Sequence, residues 1–459
     1  MTADRPGEAD TANGTIRNRE DLIDGPEADL RRAALDVIED AIAAVHPHRL
    51  LDREVERPTE GIFTIGGVEY DIANVERVFV VGAGKGSQAL VEAVVDLLEG
   101  AADVIESLAV EKAGGAEESD RVRVLEAGHP LPTEASVRAA DAVFDVATGA
   151  EDGDLIFVCI TGGASSLLAA PDDVTLSDLR TTTDLLLRSG APIEEVNAVR
   201  KCLSQVKGGR LAERIAPATG VGLIVVDEVA GEPWGPTVVD EVDPAEAVEV
   251  LNGLDLLDAV PRDVRQALAK AKTPEIGPVD VVDNVTLATA VDVCEAAVEC
   301  ARTLGYEPLL LSTTIEGESR AVGRVLAGIA REAATHRRPV APPCALVSGG
   351  ETTVSVSEPA GLGGPNQETA LGFARGIDGL EGVVGAFIGT DGTDGPTDVA
   401  GGIVDGETVA RAEAHGRPVQ EGLKNHDSTV VLDHVGDAIR TGPTHTNLMD
   451  LCVILARRL

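Results

Sequence analysis

Arg77-Val-Phe-Val-Val-Gly82-Ala-Gly-Lys-Gly-Ser87 runs from a short β-branched strand directly into a glycine-rich turn, and the helix-forming stretch Gln88–Leu98 follows. The device returns at Leu155-Ile-Phe-Val-Cys-Ile160-Thr-Gly-Gly-Ala-Ser-Ser166, a buried apolar strand that ends in two glycines and opens another helix. Glycine lets the chain turn sharply out of a strand where other residues would clash. Strand, glycine turn and helix in alternation predict a parallel, doubly wound sheet.

Outward from this pair the alternation continues. Strands are expected at Val104–Val110, Val122–Leu125 and Val221–Val226, and helices at Glu134–Ala147, Leu176–Ser189 and Ile193–Ile215. The second of those strands ends in Gly128-His-Pro-Leu-Pro132. Upstream, Leu30, Ala34, Val37, Ile38, Ala41, Ile42 and Val45 recur at helical spacing, so a helix runs from Pro26 to about Val45. Gly66-Gly67 joins two short strands in a hairpin. Downstream come helices at Val285–Leu304, Glu318–Thr335 and Gln367–Gly376. Strands are expected at Pro308–Leu311, Cys344–Val347, Thr352–Val356, Val383–Ile388 and Leu451–Leu455. Proline-bearing segments at Lys272–Pro278 and His336–Pro343 read as boundaries. The resulting expectation is an α/β protein of two domains. A polar tail (1–25) leads into a Rossmann-like domain (26–272), a helical connecting region (273–343) and a smaller mixed α/β domain (344–459).

At 459 residues the chain exceeds one ordinary core, and its 44% hydrophobic content suffices for two. The net charge is −40, with only seven lysines and 2% aromatic residues. Acid spread evenly along the chain suits a halophilic, archaeal cytosol near molar salt, where self-repulsion is screened over a few ångströms. It excludes a nucleic-acid partner, for no basic stripe exists. No run of 18 apolar residues and no signal-peptide core is seen, so the expectation is a cytoplasmic protein without a membrane partner. The six cysteines lack any CxxC spacing, which argues against zinc and disulfides.

Several segments carry chemistry. In the first turn Gly82, Gly84 and Gly86 let backbone N–H groups approach an anion at a helix start, with Lys85 among them. Neither a P-loop nor a dinucleotide fingerprint is matched. Gly162, Gly163, Ser165 and Ser166 repeat the arrangement, and Ser348-Gly349-Gly350-Glu351-Thr-Thr353 is a third example. Thr441-Gly-Pro-Thr444-His-Thr-Asn447 offers hydroxyls and an amide for a small polar ligand. Asn197, Arg200, Lys201 and Ser204 fall on one face of a helix, and Lys207 reaches the Gly208-Gly209 break. Gly389-Thr-Asp391-Gly-Thr-Asp394-Gly-Pro-Thr-Asp398 follows an apolar strand and gathers carboxylates suited to a hard cation. Several anion cradles beside acidic loops point to phosphoryl transfer, in which positioning and charge neutralisation do most of the catalysis.

Five separated motifs in order resemble the class II glycerate kinases, the glycerate 2-kinases with a C-terminal MOFRL domain. They are NxVRKxLSxxKGGRLA at Asn197–Ala212, SGGETTVSV at Ser348–Val356, GGPNQE at Gly363–Glu368, GTDGTDGPTD and TGPTHTN. The resemblance spans about Arg31 to the C-terminus. It implies ATP- and Mg²⁺-dependent phosphorylation of D-glycerate to 2-phosphoglycerate in an interdomain cleft. It also places the family's key lysine at Lys85. By this reading Lys85, Arg200 and Asp227 are catalytic, and the glycine turns with Lys207 and Glu351 hold ATP. Asn197, Lys201, Thr444 and Asn447 meet the substrate, and Asp391 and Asp394 carry Mg²⁺. A homodimer is left open, and the alternative functions are an NAD-dependent hydroxypyruvate reductase or a non-catalytic nucleotide- or sugar-acid-binding protein. Two departures stand out. Pro365 replaces the family's usual arginine, with Arg200 and Arg375 as candidate substitutes, and the element at Val226–Thr237 is about three residues short.

Overall fold

The computed structural model describes residues 15–59, 61–226, 234–239, 243–270, 281–356 and 360–458. Asp227 and the boundary at Lys272–Pro278 lie outside them. Contacts divide the chain into two compact units. One joins the described residues up to Arg49 to those from Ala288 onward, and the other holds Leu50–Val226 and the described residues up to Leu287.

The second unit opens on a meander of β1 (Val55–Thr59), β2 (Ile62–Ile65) and β3 (Val68–Asp71). Gly66 and Gly67 both take positive φ (59° and 81°), as a tight hairpin turn requires. The principal sheet comprises β4 (Val78–Ala83), β5 (Val104–Lys112), β6 (Arg123–Ala127), β7 (Leu155–Ile160), β8 (Thr219–Val225) and β9 (Val282–Ala288), in the order β6-β5-β4-β7-β8-β9. Strands β6, β5, β4, β7 and β8 are mutually parallel, as the alternation predicts. From β4 the chain winds first toward β5 and β6, then returns past β4 to β7 and β8. The carboxyl ends of β4 and β7 therefore flank the topological switch point, the usual ligand crevice of such sheets. Val81, Val158, Ile160, Leu108 and Val143 are among the side chains filling its core.

The other unit carries β10 (Glu307–Glu318), β11 (Cys344–Thr353), β12 (Val383–Gly389), β13 (Gly401–Asp405), β14 (Ala438–Ile439) and β15 (Asp450–Ala456), ordered β10-β11-β15-β12-β13-β14. Only the β10–β11 pair is parallel. The contacts group the chain differently from the linear division read off the sequence. Helix Ala28–Ala44 packs on helix Ala290–Thr303 and on β15. Its buried Arg31 donates through Nε to Asp405 Oδ2 at 2.8 Å and through Nη2 to Asp437 Oδ1 at 3.0 Å, and Arg411 pairs with the same two carboxylates. The segment expected as a polar tail buries Ile16 and Leu22.

Three local expectations are corrected. The helix expected at Val285–Leu304 begins as strand β9, and Thr289 then starts helix Ala290–Thr303 through a capping box with Asp292. The helix expected at Ile193–Ile215 is two helices, Ile193–Cys202 and Arg210–Ile215, parted by Gly208 and Gly209 at φ 68° and 86°. Ser204 thus leaves the helical face and bridges Pro171. The glycines of Ser348–Thr353 lie within β11, not in a strand-to-helix turn. A Cβ on Gly350 would fall 2.1 Å from the Ile315 carbonyl, where the pairing with β10 slips register.

Candidate active site

Two turns at the switch point are sewn together through their backbones. Lys85 N donates to Gly162 O at 2.8 Å, and Thr161 Oγ1 donates to Lys85 O at 2.9 Å. Gly84, at φ 131°, leaves no room for a side chain, since a Cβ would lie 2.1 Å from Thr161 Oγ1. Helix Ser87–Leu98 starts at Gly86, whose φ of 77° needs glycine. The N–H groups expected to cradle a phosphate there are already engaged. Glu111, at the end of β5, accepts from Gly86 N at 3.1 Å and Gln88 N at 2.7 Å. Burial pushes this carboxyl up to about 7 despite those hydrogen bonds. The sequence signal for Glu111 is an acid that directly follows the apolar run Leu108-Ala-Val110 of a parallel strand.

The second turn gathers the cations. Arg200 Nη2 donates to Ser165 O at 3.1 Å, and Lys207 Nζ reaches the same carbonyl at 2.6 Å. Among the described residues no carboxylate pairs with either. Burial lowers Arg200 to about 10, and burial together with Arg200 holds Lys207 well below its ordinary value. Two desolvated like charges on one carbonyl are costly unless an anion joins them. Asn197 and Lys201 sit on the same helix as Arg200 and are partly buried.

His129, not singled out as a site residue from sequence, belongs to this cluster. A Cβ on Gly163 would meet His129 Cδ2 at 3.0 Å, His129 Nε2 at 3.1 Å and Lys85 Cγ at 3.6 Å. The histidine loop is held on both sides. Ser166 Oγ donates to Pro130 O at 2.6 Å, and Gly128 N donates to Ser136 Oγ at 3.3 Å.

In the other unit the acidic loop after β12 has two different aspartates. Asp394 is buried, and both its oxygens accept hydrogen bonds: Oδ1 from Asn366 N (2.9 Å) and Nδ2 (3.2 Å), Oδ2 from Gln367 N (2.9 Å) and Nε2 (3.0 Å). It caps helix Pro365–Gly376. Burial raises its carboxyl to about 6. Asn366 Nδ2 also donates to Asp450 Oδ1 at 2.6 Å, and burial raises Asp450 to about 7. Asp391 is only partly buried, and its Oδ1 accepts from Thr393 N at 2.9 Å. Thr444 does not present its hydroxyl to the open surface. It donates to Thr390 O, as Thr446 does at 2.8 Å, which ties the TGPTHTN loop to the acidic loop. Asn447 is buried beside it, and Glu351 is exposed on β11. Among the described residues no three His, Cys, Asp or Glu side chains are placed to hold a metal ion, and no helix is long and apolar enough to cross a membrane.

Comparison with known proteins places this arrangement. Residues 33–269 match the family model described as a domain of unknown function, DUF4147, and residues 344–450 match the MOFRL family. Glycerate 2-kinase of Pyrococcus horikoshii is 39% identical over 93% of this chain and 97% of its own. The chain belongs to the glycerate 2-kinase family. D-glycerate 2-kinase of Thermotoga maritima is 36% identical over 93% and 98% of the two chains. The crystal structure of a glycerate kinase from Thermotoga maritima superposes with a TM-score of 0.79 at 34% identity, covering 93% of this chain and 99% of that one. Pro365, where the glycerate 2-kinase resemblance calls for arginine, occupies the first position of its helix, where a missing N–H costs little. Arg375 is exposed in the last turn of the same helix, roughly 15 Å away along the axis, so it does not stand in for the arginine.

Proposed function

We propose that this chain transfers the γ-phosphoryl group of ATP to the 2-hydroxyl of D-glycerate. The observation that carries the reading is the convergence of Arg200 and Lys207 on Ser165 O beside the Lys85 turn, with no carboxylate among the described residues to neutralise them. Such a cluster suits a dense anion. Lys85 supplies a third positive charge at the switch point and acts on the phosphoryl group as it transfers. Arg200 and Lys207 hold phosphate oxygens or the glycerate carboxylate, and Asn197 and Lys201 extend that surface. The backbone turns at Gly84 and Gly162–Gly163 fix these side chains, so positioning and charge neutralisation precede the chemistry.

Magnesium, when bound with the nucleotide, would neutralise the β- and γ-phosphate oxygens. Such an ion keeps most of its water and takes one or two protein carboxylates. Asp391, partly exposed, fits that demand, whereas Asp394 spends both oxygens on helix capping. The reading is tested by a coupled ATPase screen across small hydroxy acids in molar KCl, with phosphorus NMR on the product. ADP formation dependent on D-glycerate, with the phosphate on C2, is expected. Consumption of NADH with hydroxypyruvate, or no glycerate-dependent turnover, would overturn it.

A further inference from the structure

We infer that His129 is the catalytic base of the transfer, receiving the proton of the acceptor hydroxyl as its oxygen attacks phosphorus. This inference rests on the kinase reading above. The imidazole edge carrying Nε2 lies over Gly163, and Lys85 Cγ approaches the same point, all within 4 Å of where a Cβ would stand. Glycine at 163 therefore does two things. It permits the φ of 86° that starts the short helix Ala164–Leu167, and it clears the space in which the ring lies next to the lysine stem.

The loop holding the ring is anchored on both flanks, by Ser166 Oγ on Pro130 O and by Ser136 Oγ accepting from Gly128 N. Ser166 is also within reach of Arg200 Nη2, at 3.4 Å. The histidine, the lysine and the paired cations are thus parts of one hydrogen-bonded assembly. Lys85 shares the Gly163 site with the ring, Arg200 and Lys207 meet at Ser165 O two residues further along, and Glu111 accepts from Gly86 N.

The step balances simply. The substrate O–H bond breaks and its proton passes to an imidazole nitrogen. The oxygen forms the new bond to the γ-phosphorus, the bond from that phosphorus to the β-bridging oxygen breaks, and ADP departs with the electron pair. The imidazolium then returns its proton to solvent. A positioned base of this kind contributes about 10²–10⁴ in rate.

The test uses the full-length enzyme in molar KCl with D-glycerate and ATP. For His129→Gln the expected result is kcat lowered about 10²–10³-fold with KM for ATP changed less than threefold. The acidic limb of the wild-type pH–rate profile should be lost in that variant. For His129→Ala, added imidazole should restore rate in proportion to its unprotonated fraction, a response that a packing role would not give. A kcat for His129→Gln within threefold of wild type, or a His129→Ala enzyme that imidazole leaves unchanged, overturns the inference while leaving the kinase reading intact. Failure of the wild type to phosphorylate glycerate strikes that prior reading instead.

Discussion

Replacing Asp394 by asparagine separates a structural role for this residue from a metal-binding one. Its carboxylate accepts four hydrogen bonds, two from backbone N–H groups at the start of helix Pro365–Gly376 and two from the side chains of Asn366 and Gln367. Asparagine keeps the shape but offers one acceptor oxygen, so its NH₂ must face donors on the other side. The side-chain donors have alternatives, Asn366 Nδ2 with Asp450 and Gln367 Nε2 with Thr397. A backbone N–H has none that the change leaves in place. One buried, unsatisfied N–H costs about 1–3 kcal/mol, and losing the negative charge at a helix N-terminus adds about 0.3–1 kcal/mol. The helix is buried from Asn366 to Ala374, which prevents fraying as an escape. For a unit of this size each kcal/mol shifts Tm by about 2–4 °C, so Asp394→Asn should melt about 3–16 °C below wild type. Differential scanning calorimetry at pH 8 in molar KCl reads the shift, alongside the Mg²⁺ dependence of kcat. An unchanged Tm with lost activity and a raised Mg²⁺ requirement would refute the capping argument and return Asp394 to the metal.

Further outcomes are expected elsewhere. Lys85→Met should fold and bind ATP but lose about 10²–10³ in kcat with a smaller change in KM, as steady-state kinetics will show. Lys207→Met removes one of two desolvated like charges, so its Tm should equal or exceed that of wild type while kcat/KM falls at least tenfold. Glu111 is held above its ordinary 4.5 at about 7 by burial. Its protonated form is therefore favoured by folding, and its stabilising contribution is complete below about pH 4.5 and lost as pH rises through 7. Glu111→Gln should flatten the dependence of Tm on pH across that window, an effect on the order of 3 kcal/mol. Dialysis to about 0.1 M salt, where the Debye length nears 10 Å, should unfold or inactivate a chain of net charge −40, as followed by circular dichroism.

Much of the molecule follows from short-range pattern alone. Alternating apolar strands and glycine turns from Arg77 to Val226 predict a parallel sheet, and the turns after Val78–Ala83 and Leu155–Ile160 need positive φ at Gly84, Gly86 and Gly163, where glycine is at ease. The clustering of Arg200, Lys201 and Lys207 in an acidic chain is likewise legible in the sequence, as a candidate anion site. Three decisions belonged to tertiary structure. Helix Ala28–Ala44 is amphipathic wherever it packs, and its packing on β15 together with the partners of Arg31, 374 and 406 residues away at Asp405 and Asp437, joins it to the C-terminal sheet. Asp394 and Asp391 look alike in sequence. The approach of helix Pro365–Gly376 turns one into a buried cap and leaves the other partly exposed. His129 is unremarked between a glycine and a proline until the switch point lays its loop over Gly163. Periodicity reports which face of an element is apolar, but it carries no record of which distant element covers that face. The chemistry of a carboxylate or an imidazole depends on that covering partner, through the water it excludes and the donors it brings.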